Sequence, residues 1–180
     1  QINKVTVAKL SIAWTYHTGD LVNYGTGGRA TSYEVTPILN NGKLYLCTPL
    51  NRIVALDPAT GREIWAFDPH GTLIDEPKVS NECRGVAYWQ AADPKQGGAC
   101  EKRVFKGDRG GRIFAVDADT GKACTDFGHG GYVSYTDYEG RGEGHPNIKS
   151  PPVVLGDLVM ATGGVSANER TDAPDGVLRA

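Results

Sequence analysis

Few residues of this 180-residue chain are of a type that does chemistry on its own. There are four cysteines, Cys47, Cys83, Cys100 and Cys124, and four histidines, His17, His70, His129 and His145. No Cys-x-x-Cys pair and no haem-attachment motif occurs, and neither Cys nor His recurs at zinc-ligand spacing. Four cysteines allow three full pairings. A bridge between Cys100, which precedes the first strand of a repeated unit, and Cys124, which is expected to begin that unit's last strand, would suit an oxidising compartment, whereas Cys47 lies in an apolar strand and reads as a core thiol. The histidines fall in turns and loops and read as exposed. Gly107-Asp108-Arg109-Gly110-Gly111 imitates a phosphate-cradling loop, but it separates two strands instead of opening a helix, so it reads as a hairpin turn. Trp89 reads either as a stacking surface for a planar ligand or as the cap of a sheet.

The elements that must carry these residues come as repeats. Val35 to Leu39 and Lys43 to Thr48 alternate in polarity and are joined at Asn40-Asn41-Gly42. Arg52 to Leu56 and Glu63 to Phe67 flank a turn at Pro58 to Gly61. This is the pattern of a four-stranded antiparallel meander. Ala55-x-Asp57-x-x-Thr60-Gly61 then recurs sixty residues later as Ala115-x-Asp117-x-x-Thr120-Gly121. A third copy starts at Pro151-Pro152, and Ile12 to Gly19, which contains Trp14, is similar to the strand around Trp65 and reads as the tail of an earlier unit. Four-stranded units at this period predict β-propeller blades. In each repeat Asp can bond the amides of its own turn and Gly supplies the positive φ that ends it. Trp65 offers a flat apolar face to the next unit. Ile2 to Leu10 allows one short helical turn.

Length and composition bound the reading. At roughly 60 residues per unit the chain holds about three blades, while closed propellers use four to eight, so it is expected to be a segment of a longer protein. The units are expected at 33–98, 99–150 and 151–180, with 1–32 the end of a preceding blade and its connection. Twenty-four glycines and long connections, read at Phe67 to Gly98, Gly128 to Ser150 and Ala167 to Gly176, fit a turn-rich, all-β chain. A net charge of −2 gives no reason to expect nucleic acid as a partner.

The Ala-x-Asp-x-x-Thr-Gly-x-x-x-Trp repeat resembles the tryptophan-docking motif of quinoprotein dehydrogenases, eight-bladed propellers that hold pyrroloquinoline quinone (PQQ). Tyr33-Glu34-Val-Thr-Pro37 and Cys83-Arg84-Gly-Val-Ala-Tyr88 are similar to their first full blade and to their cofactor-face loop. Cys83-Arg-Gly-Val and Gly176-Val-Leu-Arg-Ala180 are most similar to the membrane-bound glucose and quinate (polyol) branch, which faces the periplasm.

The resemblance implies that Glu34 sits at the polar edge of PQQ. It also implies that Arg84 meets a cofactor carboxylate or quinone oxygen, a role suited to the fixed fork of a guanidinium. Family members carry a carboxylate that ligates a Ca2+ or Mg2+ bridging protein and PQQ, followed by Asn in the glucose branch. Here Ala167 stands in its place and Asn168 is kept, which implies a weakened metal site unless Glu169 or Asp172 substitutes. The family's catalytic Asp, which takes the proton of the substrate hydroxyl as hydride passes to PQQ, belongs beyond residue 180. Asp137 and Asp172 are not assigned to that role.

Two functions follow as expectations. The first is a periplasmic PQQ-dependent dehydrogenase of a sugar or polyol hydroxyl, passing electrons to ubiquinone, with the remaining blades or another chain completing the ring. The segment alone is expected to be inactive. The second is a non-catalytic propeller scaffold in protein assembly, which has no need of Glu34 and Arg84 together.

Overall fold

The structure, a computed structural model, describes residues 2–20, 30–71, 73, 80–95, 97–135, 147–163 and 178–180. Among these the regular structure is nearly all strand, with one 3-10 turn at Val7–Lys9 where the sequence allows a helical turn.

Strand β1 (Ala30–Thr36) ends at Pro37, which has no N–H to give to a ladder, and the chain leaves it for β2 (Ile38–Asn40). The turn Asn41-Gly42 has φ of 47° and 68°, the left-handed pair that a two-residue hairpin requires. It leads to β3 (Lys43–Cys47), β4 (Ile53–Leu56) and β5 (Glu63–Phe67). β2 to β5 form one antiparallel meander in sequence order. Both faces of β4 are buried. Ile53 and Ala55 join the core shared with the second sheet, while Val54 and Leu56 pack with Leu46 under Trp14 and Tyr16.

After β6 (Ser80–Gly85) the second sheet forms from β7 (Ala87–Gln90), β8 (Lys102–Gly107), β9 (Arg112–Asp117) and β10 (Tyr132–Ser134). Here the strands differ from the sequence expectation. The first strand lies at Ala87–Gln90, in a stretch read as connection, because eleven residues separate it from β8 and obscure the pairing. Trp89 is thus a strand residue, and its Nε1 donates to Asp157 Oδ1 at 3.1 Å. The last strand does not open at Cys124. Ala123 makes one bridge to Val116, and then a compact detour, closed by Phe127 N to Cys124 O and Gly131 N to Phe127 O, delays β10. The hairpin reading of Gly107 to Gly111 agrees with the β8–β9 turn.

A third sheet pairs β11 (Val153–Leu155), β12 (Leu158–Thr162) and β13 (Leu178–Arg179). Val154, Val159 and Ala161 pack on Phe105, Ile113 and Ile148 of the second core, while Val153, Leu155 and Leu158 on the opposite face are exposed. The sheets therefore stack face to face in chain order, as blades do.

The repeated turns are built alike. Asp57 Oδ1 accepts from the amides of Ala59 and Thr60, both at 2.9 Å, and from the Thr60 hydroxyl at 3.0 Å. Asp117 Oδ1 does the same with Asp119, Thr120 and the Thr120 hydroxyl, at 3.1, 2.8 and 2.8 Å. These bonds hold the Asp57 carboxyl below the usual range.

Candidate functional site

β1 and β6 pair with each other in parallel and form a two-stranded ribbon outside the larger sheets. Ser32 is registered with Glu82 and Tyr33 with Cys83. Side chains alternate along a strand, so Ser32 and Glu34 share a side of the ribbon with Glu82 and Arg84, while Cys83 points to the other.

On that side Arg84 Nε donates to Glu34 Oε2 at 3.0 Å, and the Ser32 hydroxyl donates to Glu34 Oε1 at 3.0 Å. The bond from Arg84, then that from Ser32, holds the Glu34 carboxyl below its ordinary range. Both side chains of the pair stay open to solvent, 51% and 40% exposed, so a ligand can reach them. Glu82, by contrast, is buried. Its carboxylate pairs with Arg109 Nη2 at 3.0 Å and with the Lys149 ammonium. Lys149 also accepts the Arg84 amide through its carbonyl at 3.1 Å.

Three cations and two carboxylates thus meet from β1, β6, the β8–β9 turn and the segment before β11. The arrangement can bind and orient an anion. It offers no free thiol, since all four cysteines are bridged. His17, His70 and His129 are exposed, and His145 lies outside the described residues.

Cys47 is not a core thiol but is bonded to Cys83, with Cα atoms 6.0 Å apart. The sequence reading missed this because the two lie 36 residues apart on different elements. Cys100 is bonded to Cys124. Cys100, Cys124 and Asp126 have ligand-type atoms within 4.8 Å of one another, but both sulfurs are committed to that bond. Ala167, Asn168, Glu169, Asp137 and Asp172 lie outside the described residues.

Of the residues expected at the site, Glu34 and Arg84 are brought together. Glu82, Arg109 and Lys149 were not anticipated. Glu82 had a legible signal, since it stands two residues before Arg84 and so on the same side of a strand. Arg109 sat in a motif read as a plain turn, and nothing in the sequence marks Lys149.

Stacked four-stranded sheets, with the Trp65 indole of the first lying on the Gly121 turn of the second and an ionic ribbon beside them, define a β-propeller domain of the tryptophan-docking class. The chain matches, over residues 1–180, the family described as PQQ: Glucose/ethanol/alcohol dehydrogenase, beta-propeller domain, and it belongs to that family. It is 38% identical to quinoprotein glucose dehydrogenase A of Acinetobacter calcoaceticus, over 99% of this chain and 24% of that protein. Against the quinate/shikimate dehydrogenase (quinone) of Acinetobacter baylyi it is 35% identical, over 100% of this chain and 24% of the relative. The chain therefore spans about a quarter of the length of these relatives. The solved quinohemoprotein alcohol dehydrogenase of Comamonas testosteroni superposes on 76% of this chain and 18% of its own, with a TM-score of 0.56 at 24% identity. A europium-containing methanol dehydrogenase covers 91% of this chain and 24% of its own, with a TM-score of 0.58 at 20% identity. At these identities the structures speak for the fold.

Proposed function

We propose that the protein carrying this chain is a PQQ-dependent dehydrogenase that oxidises a sugar or polyol hydroxyl. The observation that carries the reading is the exposed Arg84–Glu34 pair on the β1–β6 ribbon of a chain belonging to this family. PQQ bears three carboxylates, and the donor set here fits such an anion. Arg84 presents a planar fork, Lys149 and Arg109 add positive charge, and Glu34 and Glu82 fix the cations without cancelling them. In this reading Arg84 holds a carboxylate or quinone oxygen and Glu34 holds the adjoining polar edge. PQQ, when bound, supplies the two-electron acceptor that these side chains lack.

Relatives of this chain are glucose, glycerol and quinate/shikimate dehydrogenases, which supports a polyhydroxylated substrate. The last of these is a quinone-linked enzyme, which supports ubiquinone as acceptor. Two disulfides support an oxidising compartment such as the periplasm. Among the described residues no helix is long and apolar enough to cross a membrane. A metal at Asn168 belongs to the same reading, weakened by Ala167. The scaffold reading is less favoured, because a solvent-facing Arg–Glu pair contributes nothing to blade stacking.

The test is a PQQ titration of the purified protein with and without Ca2+ or Mg2+, read by absorbance and native mass. Stoichiometric, metal-dependent uptake supports the cofactor site and a working metal site. Uptake indifferent to metal keeps PQQ and removes the metal. No uptake by a complete ring overturns the reading in favour of the scaffold.

A further inference from the structure

Among the described residues, the ribbon that carries Arg84 and Glu34 is not hydrogen-bonded into a four-stranded sheet. β1 and β6 have each other as strand partners, and the Arg84 amide has one further tie, to Lys149 O. The firm anchor lies on the opposite side of the ribbon. Cys83, immediately before Arg84, is covalently bonded to Cys47, the last residue of β3. Cys47 is fully buried, among Ile53, Ala55 and Val104 in the core shared by the first two sheets. Arg84 is therefore the first residue beyond a covalent rivet to the buried core of the first two sheets, and its guanidinium points away from that rivet toward Glu34.

We infer that the Cys47–Cys83 disulfide is a positioning element for the anion-binding side of the ribbon, so that its oxidation state sets the affinity of the site for its anionic cofactor. The inference rests on the PQQ reading above. With the bond closed, the Arg84 fork is held at fixed height over the blade core, and the ordering cost of the ribbon is met on folding instead of on binding. With it open, the ribbon keeps its own pairing and the ion pairs of Glu82 with Arg109 and Lys149, but Arg84 loses its covalent tie to the core, and part of the binding energy goes into ordering it. Opening is a two-electron step. A dithiol of the dithiothreitol class attacks one sulfur, the S–S bond breaks, the reagent leaves as its cyclic disulfide, and its two protons end on Cys47 and Cys83.

The second disulfide supplies the control. Cys100–Cys124 braces the detour of the second sheet, and neither cysteine adjoins a ribbon residue in sequence or by hydrogen bond. Its removal is expected to cost stability and leave the ribbon intact.

The experiment measures the equilibrium Kd for PQQ, by quenching of tryptophan fluorescence, in the complete polypeptide that carries this chain. The expected result is at least a tenfold weakening in the Cys47→Ala/Cys83→Ala variant and no more than a twofold change in Cys100→Ala/Cys124→Ala. In an Arg84→Ala background the Cys47/Cys83 substitutions are expected to add nothing, because their effect runs through Arg84. A reagent arm covers the case in which the first variant does not fold. The Cys100→Ala/Cys124→Ala protein, in which Cys47–Cys83 is the bridge left within these 180 residues, is reduced, desalted anaerobically and titrated, and then titrated again after reoxidation. Weakening that reverses on reoxidation supports the inference. Equal affinity of the oxidised and reduced forms, or full additivity with Arg84→Ala, overturns it while leaving the PQQ reading standing. Failure of the unmodified protein to bind PQQ overturns both.

Discussion

The indole of Trp65 lies on Gly121 of the next sheet, and its Nε1 donates to the Ala118 carbonyl at 3.2 Å. Trp14 repeats the relationship one unit earlier, lying on Gly61 with its Nε1 on the Pro58 carbonyl at 3.0 Å. In both cases the acceptor is the residue after the repeat Asp, so the Asp-centred turn fixes the carbonyl and the glycine that the indole reads. Substituting Gly121 adds two costs. A Cβ would stand 2.7 Å from the ring, and the residue would be held at φ of +73°. Gly42→Ala isolates the second cost, since its φ is +68° and no atom lies within 4 Å of the added Cβ. Urea unfolding is expected to show a loss of about 1–2 kcal/mol for Gly42→Ala and about 2–4 kcal/mol for Gly121→Ala. Equal losses would show that the indole contact contributes nothing.

Lys106 is a charged group that burial makes expensive. It is fully buried, and its Nζ donates to Asn51 Oδ1 at 2.5 Å and to the Gly107 carbonyl at 2.7 Å, which ties the second sheet to the β3–β4 turn of the first. Desolvation lowers its pKa to about 7, with Asp108 opposing and Arg112 adding to the shift. In the unfolded chain the amine titrates near its ordinary value of 10.5. Between about pH 7 and pH 10 the unfolded state therefore binds more protons than the folded one, and stability gains from this residue as pH rises. The neutral amine can still donate both bonds. Comparing Lys106→Met with the unsubstituted protein by urea melts at pH 6, 7.5 and 9 is expected to show the variant relatively most stable at pH 6, losing ground at each step. A difference independent of pH would place the amine titration outside this window.

The meander β2–β5 was legible because polarity alternates and Asn-Gly and Thr-Gly mark its turns. The second sheet was only half legible. Its two central strands carry the same signals, but β7 contains Ala87 and Gln90 beside two aromatics, and β10 is cut from the repeat by the detour after Cys124. The parallel ribbon could not be read at all, since pairing across fifty residues leaves no local periodicity. Glu34 and Arg84 were named through family resemblance, whereas their mutual contact comes only from the ribbon's register. The same long-range closeness hid the Cys47–Cys83 bond.

Cys100–Cys124 should act on stability. It closes a 24-residue separation and braces the turn in which Cys100 donates its amide to Asp117 Oδ2 at 2.6 Å, in a backbone held at φ of 60°. Burial pushes the Asp117 carboxyl up, but that bond and those from Thr120 and Asp119 outweigh it and hold the group below its usual range. Removing the bridge is expected to cost about 2–4 kcal/mol in urea unfolding. A loss well under 1 kcal/mol would mean that the detour is held by its own hydrogen bonds.

The Arg84–Glu34 pair should determine anion affinity much more than stability, because both side chains are exposed and such pairs contribute little to folding. Arg84→Ala is expected to weaken PQQ binding by about 10- to 100-fold, since a charge-assisted, two-pronged contact is lost. Arg84→Lys should recover only part of this, because a point charge does not reproduce the fork. The pH dependence follows from Glu34. Its carboxyl is held below the ordinary range by Arg84, so it stays ionised through neutral and mildly acidic solution, and the pair is lost only as pH falls below that range. PQQ affinity is therefore expected to be flat across neutral pH in the unsubstituted protein as far as Glu34 is concerned. Glu34→Gln should leave that flatness unchanged while freeing Arg84 to swing away from the ribbon. Titrations of the four proteins at two salt concentrations check the whole set, because the Arg84→Ala complex should lose part of the salt dependence shown by the others. Unchanged affinity and salt dependence in Arg84→Ala would remove this ribbon from the cofactor site.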